Sequence, residues 1–134
     1  MMVRRITQVF YYGYTLMLLG VGGSGILIAR WELSSIFSID LAAMGPEPAA
    51  TLLNQYRFLK STELAFGLFC WLYRHRIWAG GEARILFLAG VLGGCAARAL
   101  SIVVDGVPGW PFLVFLALEL MCALLIAIQP WRLA

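Results

Sequence analysis

The sequence is poor in charged residues, which make up 13% of its 134 positions, and it contains one histidine. So few charges cannot cover the surface of a soluble domain of this length. The histidine, His75, lies between Arg74 and Arg76, where a solvated loop residue is expected. The sequence also lacks a Ser-His-Asp set, a phosphate-binding glycine loop and metal-ligand spacing. We therefore predict no catalytic residue and no metal site, we name no cofactor, and the balance is against an enzyme.

Cysteine is also scarce, because the chain has only Cys70, Cys95 and Cys122. Each lies in a different apolar run, and no CxxC pair occurs. This pattern favours small packing residues inside apolar helices over a disulfide or a metal site.

Apolar residues are abundant, at 62% of the chain with a mean hydropathy of +0.86. A helix needs about 20 mainly apolar residues to cross a bilayer. The runs predict an all-α fold, an integral membrane four-helix bundle that forms one transmembrane domain over residues 1–134. The predicted spans are approximately 7–29, 57–74, 85–104 and 110–129. Between the first two, segment 31–48 is too polar to span and is predicted to lie at the membrane surface.

The second span differs from the others because it contains charges. Its helical pattern begins at Ala49, with Pro48 as the starting residue, and includes Lys60 and Glu63. We expect the Lys60 stem to extend towards the membrane surface, as long cationic side chains commonly do.

The basic residues predict orientation rather than nucleic-acid binding, although the pI is near 9.0. They concentrate at the chain ends and between the second and third spans, and a cytoplasmic excess of Lys and Arg sets orientation. The sequence thus predicts a multi-pass protein of the bacterial inner membrane with both termini in the cytoplasm. The residues on that side are Arg4, Arg5, Arg74, Arg76, Arg84 and Arg132.

Three ionisable residues lie inside the predicted spans, namely Glu63, Arg98 and Glu119. At about 1.5 Å per helical residue, all three fall in the outer half of the bilayer. An intramembrane arginine needs partners, and its fork suits two carboxylates. We predict a buried cluster, or a ligand pocket, with Arg98 between the two acids. Further predicted members are Ser101 and Asp105, which share a helical face with Arg98, and Arg57.

Glycines supply a second pattern, because small residues let membrane helices approach closely. The predicted packing positions are Gly20, Gly67, Gly90 and Gly94. The stretch around Gly20 is also compatible with a groove or with contact to a partner subunit.

Short motifs in residues 49–128 carry a family resemblance. They are NQYRF from Asn54, ELAFG from Glu63, ARALS from Ala97 and DGVP from Asp105. The chain resembles a bacterial family of short four-helix integral membrane proteins described only as a domain of unknown function. That family is broadly similar to DoxX-like membrane proteins, which include subunits of quinone-linked oxidoreductases.

Three functions follow as hypotheses. The first is a non-catalytic accessory subunit of a larger membrane complex, which the resemblance permits. The second is a binding protein or transporter for a small apolar, lipid or quinone-like ligand. The third is a membrane enzyme that uses Glu63 or Glu119 as an acid or base. The expected partners are the lipid bilayer, other membrane subunits and a lipid or quinone, and no nucleic acid is expected.

Overall fold

The computed structural model describes residues 2–130, apart from the side chain of Met2. Arg132, used above for orientation, lies outside the described residues. The helices are α1 (Met2–Trp31), α2 (Pro46–Leu72), α3 (Arg74–Ala79), α4 (Glu82–Asp105) and α5 (Trp110–Ala127), with a π-helical segment at Glu32–Ile36 between α1 and α2. Residues 2–130 contain no strand, so the predicted all-α class is confirmed.

Three segments are long and apolar enough to cross a membrane, namely Val3–Ile36, Glu82–Asp105 and Trp110–Ala127. They agree with three of the four predicted spans and indicate association with a lipid bilayer. Helix α2 has 27 residues, which is also long enough, but it carries several charges. A fourth span through α2 therefore stays a prediction.

Two helix boundaries differ from the sequence-based expectation. Helix α2 begins at Pro46 rather than near Ala49, because proline fits the first helical turn, where a backbone N–H would lack an intrahelical partner. A short helix, α3, replaces part of the loop expected between Arg74 and Arg84. The turn into α4 is made by Gly80 and Gly81, with φ of 110° and 74°, a conformation that glycine adopts without strain.

The chain forms two compact units. Among the described residues, unit I is Leu16–Leu68, and unit II combines residues 2–15 with residues 69–130. Helices α1 and α2 each contribute residues to both units.

In unit I, residues 37–45, which we call the folded-back segment, pack back onto the helices. The Ile39 N–H donates to the Leu33 carbonyl at 2.9 Å, and the Asp40 carboxylate accepts the N–H groups of Ala42 and Ala43. Leu41 is thereby buried at 7% exposure. The segment is thus packed against its own unit. Its predicted position at the membrane surface stays a prediction. The core it joins comprises Ala29, Leu33, Leu41, Ala49, Leu53 and Tyr56.

In unit II, Arg84 fixes the ends of two helices. It is 1% exposed and donates through Nε to the Ile77 carbonyl, through Nη2 to that of Trp78 and through Nη1 to that of Gln129, at 2.9, 2.7 and 2.8 Å. Carbonyls at helix C-termini lack intrahelical donors, so a buried guanidinium satisfies several at once. In the same unit, the Tyr11 hydroxyl donates to the Cys70 carbonyl at 2.7 Å. The cysteines Cys70, Cys95 and Cys122 are buried free thiols.

Candidate functional site

Unit I contains a buried polar network of four side chains, Glu32, Tyr56, Lys60 and Glu63. The Tyr56 hydroxyl donates to Glu32 Oε2 at 2.7 Å, and Lys60 Nζ lies 2.9 Å from Glu63 Oε2. Lys60 Nζ also lies 5.1 Å from the centroid of the Tyr56 ring. Glu32 and Lys60 are each only 5% exposed. Each buried charge thus has a polar partner, as burial requires.

Helix geometry brings the network together. Tyr56, Lys60 and Glu63 follow the i, i+4, i+7 spacing, which places them on one face of α2. Glu32 is the first residue of the π-helical segment after α1. The two parts meet over Gly25, where a Cβ would lie 2.6 Å from Lys60 Cδ and 2.8 Å from Glu32 Oε2. A glycine at this position is therefore what makes room for both buried charges.

The structure corrects the expected position of Lys60. Its side chain is 6% exposed and bonded to Glu63, rather than extended towards a membrane surface. The reason is local, because Glu63 supplies a counter-charge one helical turn away and the Tyr56 ring supplies a cation–π contact.

An open cavity of about 480 Å³ lies in unit I between the end of α1, the folded-back segment and the first turns of α2. Its buried walls are Leu41, Ala49 and Leu53, which belong to the core that also contains Tyr56. Its exposed polar groups belong to Arg30, Asn54 and Arg57. The full lining is Arg30, Leu41, Met44, Pro46, Ala49, Ala50, Leu53, Asn54 and Arg57.

Two arginines give the cavity its charge. Arg57 Nε donates to the Ile26 carbonyl at 3.2 Å, which ties α2 to α1 four residues before Arg30. Neither Arg30 nor Arg57 forms an ion pair with any residue in 2–130. Both guanidinium groups are exposed and retain N–H donors for a ligand.

Unit II brings together two of the predicted cluster residues. Arg98 Nε lies 3.1 Å from Glu119 Oε2, and Arg98 Nη2 donates to Oε1 at 3.5 Å. The side chains are 32% and 13% exposed, respectively. The Cys95 thiol lies 4.0 Å from the same carboxylate. The arrangement is a fork-to-fork pair between α4 and α5.

The remaining predicted site residues have other partners. Glu63 belongs to unit I and pairs with Lys60, so the three-membered cluster of Glu63, Arg98 and Glu119 stays a prediction. The Ser101 hydroxyl donates to Asp105 Oδ2 at 2.8 Å on the surface of α4.

The predicted packing glycines also differ in their surroundings. A Cβ at Gly67 would lie 3.0 Å from Leu18 Cβ, so this glycine is in a close helix contact. At Gly20 and Gly94 no described atom beyond the glycine's neighbours and the adjacent helix backbone lies within 4 Å of that position, and Gly90 is exposed. A packing role for these three stays a prediction.

The Arg98–Glu119 pair makes a testable contribution to stability. Arg98→Leu should destabilise unit II by roughly 1–3 kcal/mol, because Glu119 would keep a partly buried charge without its counter-ion. Glu119→Gln in the Arg98→Leu background should recover part of the loss. Thermal unfolding of the single and double variants in mild detergent measures both effects. Additive losses in the double variant would show that the two side chains do not stabilise each other.

A family model described as a domain of unknown function, DUF4345, matches residues 6–129. The chain belongs to this family. No curated protein and no solved structure matches the chain. Membership agrees with the resemblance to an uncharacterised family and assigns no activity, so function has to be argued from the side chains.

Sequence reasoning missed five residues of the network and the cavity, namely Arg30, Glu32, Asn54, Tyr56 and Lys60. Tyr56, Lys60 and Glu63 carry a signal, namely their common face on α2. Glu32 carries none, because its contact with Tyr56 spans 24 positions and depends on how the intervening segment folds back.

Proposed function

We propose that this chain is an integral membrane protein that binds a small amphipathic ligand, lipid-like or quinone-like, in the cavity of unit I. The observation that carries the proposal is the composition of the cavity. Buried apolar side chains form its walls, while Arg30, Asn54 and Arg57 add polar groups at its exposed positions. Ligand sites of about 300–1,000 Å³ typically combine a mainly apolar lining with a few polar groups that orient the ligand.

The cavity is also held in shape by contacts that do not need a ligand. Asp40 secures the folded-back segment through two backbone N–H groups, and Arg57 links α2 to the Ile26 carbonyl. A site formed in advance costs less conformational entropy on binding than one that the ligand has to order.

The proposed setting is the bacterial inner membrane. Four spans, at about 7–29, 57–74, 85–104 and 110–129, would place both termini in the cytoplasm. Segment 31–48 and the cavity beside it would then lie at the outer surface, within reach of an amphiphile in that leaflet. We also propose that the family is broadly similar to DoxX-like proteins, as the motif resemblance implies.

The other hypotheses from the sequence have less support. Glu63 and Glu119, the proposed acid or base of an enzyme, are both held in ion pairs. An accessory-subunit role stays a prediction from the resemblance. Stable co-purification with other chains would favour that role over a ligand-binding one.

Blocking the cavity tests the proposal. Ala50→Trp should fill it with an indole and weaken ligand binding at least tenfold, because Ala50 lines the cavity. Thr51→Trp is the matched control, since Thr51 is an exposed neighbour outside the lining. Native mass spectrometry from a non-ionic detergent counts bound molecules of a monoacyl phosphate, a fatty acid, a lysophosphatidylcholine and a short-tailed quinone. Failure of all four to bind, or equal binding by both variants, would contradict the proposal.

A further inference from the structure

We infer that the head of the ligand is an oxyanion, a phosphate or a carboxylate, held by Arg30 and Arg57. The inference rests on the proposed function and specifies its ligand class. The apolar tail of the ligand would lie along the walls formed by Leu41, Ala49 and Leu53. A neutral head such as a quinone is the alternative, and we expect it to bind more weakly than an anionic head.

The residues that line the cavity carry a net positive charge. Among the nine lining residues, two are arginines and none is acidic. The nearby carboxylates are otherwise engaged, because Asp40 accepts two backbone N–H groups and Glu32 accepts the Tyr56 hydroxyl. Glu47 is exposed in the first turn of α2 and does not line the cavity. The fixed charge facing a ligand is therefore positive.

The guanidinium groups of Arg57 and Arg30 keep N–H donors for the head of a ligand. With its Nε bonded to the Ile26 carbonyl, Arg57 is anchored and has its two Nη groups left to donate. Arg30 lies four residues after Ile26, beyond a kink at Ile28, and both arginines line the same cavity at the end of α1. Asn54 lies three residues before Arg57 on the same face of α2 and adds an amide donor.

Physical chemistry favours an anion at such a place. A guanidinium pairs with phosphate or carboxylate through charge-assisted hydrogen bonds, which are about twice as strong as neutral ones. Two arginines beside apolar walls suit an amphiphile with an acidic head, since one end needs neutralisation and the other needs removal from water. A neutral head would use the hydrogen bonds but leave both charges unbalanced.

Removing one positive charge at a time tests the inference. Arg30→Gln and Arg57→Gln should each weaken the monoacyl phosphate and the fatty acid about tenfold and leave the quinone unchanged. Arg5→Gln is the matched control, because Arg5 is exposed on α1 and does not line the cavity. Arg57→Lys keeps the charge but loses the fork, so it should retain an intermediate affinity. A thermal melt of each variant identifies any that fail to fold.

The outcomes separate this inference from the proposed function. If the quinone or lysophosphatidylcholine binds as tightly as the anions, and both glutamine variants bind normally, the anionic head is wrong while the cavity remains a ligand site. If Ala50→Trp also leaves all binding intact, the proposed function fails as well. Competition by inorganic phosphate as strong as that of the monoacyl phosphate would assign a free anion in place of an amphiphile and overturn the inference. A preference between the two anionic ligands identifies the head.

Discussion

Arg84→Met should lower the free energy of unfolding by roughly 3–5 kcal/mol, since each buried acceptor left without a donor costs about 1–3 kcal/mol. Three carbonyls, those of Ile77, Trp78 and Gln129, would lose the donors that the guanidinium supplies. Methionine would replace much of the apolar volume of the side chain, so the loss reports mainly on the hydrogen bonds. Chemical unfolding in mild detergent, followed by circular dichroism, measures the effect.

Two further variants identify the cause of that loss. Arg84→Lys keeps the charge but concentrates its donors at one point, so it should recover only part of the stability. Arg76→Met removes an exposed arginine of α3, whose guanidinium lies 5.6 Å from the centroid of the Tyr73 ring, and should change stability by less than about 1 kcal/mol. An Arg84→Met variant as stable as Arg76→Met would mean that the three hydrogen bonds do not hold the helix ends together.

Arg84 also shows where sequence reasoning reaches its limit. In the sequence it stands among the charges between two apolar runs, and its clearest signal is membrane orientation. Its role depends on the Gln129 carbonyl, which lies 45 positions further along the chain. No local pattern indicates which helix ends will meet, so a three-carbonyl site of this kind becomes visible only in the folded chain.

The helices themselves were largely predictable. The apolar runs placed α4 and α5 within about three residues at each end, because a long apolar run strongly constrains helix position. Helix α2 was harder, since its charges blur the pattern and its proline start lies in a polar stretch. The sequence pattern predicted this helix but placed its beginning near Ala49 rather than at Pro46.

The polar side chains were predictable where contacts are local or where two helices are close in sequence. Lys60 and Glu63 are three residues apart on one helix, a spacing that allows their pairing, although the sequence analysis placed Lys60 towards the membrane surface and Glu63 beside Arg98. Arg98 and Glu119 flank the short connection between α4 and α5, and equal depth in antiparallel helices brought them into register. The roles of Glu32 and Arg30 could not be predicted, because they depend on how residues 37–45 fold, which propensity alone does not specify.

Gly22→Ala should destabilise unit I by about 1–3 kcal/mol, the usual cost of forcing extra volume into a well-packed contact. A Cβ at Gly22 would lie 2.6 Å from the backbone nitrogen of Leu64 and 3.1 Å from the Lys60 carbonyl oxygen. Because both atoms belong to the backbone of α2, no side-chain rotation can relieve the overlap, and α1 and α2 would have to move apart. That movement would also loosen the contact over Gly25 that accommodates Glu32 and Lys60.

Gly20→Ala is the matched control for this change, since Gly20 lies two residues away on the same helix. Apart from its chain neighbours and the adjacent backbone of α1, no described atom approaches within 4 Å of its Cβ position. Alanine has the higher helix propensity, so Gly20→Ala should leave stability unchanged or raise it by up to about 1 kcal/mol. Thermal unfolding of both variants in detergent gives the comparison. Equal losses at the two positions would mean that Gly20 is also in a tight contact, for instance with a second chain. Equal stability at both would mean that α1 and α2 do not approach as closely at Gly22 as the 2.6 Å distance requires.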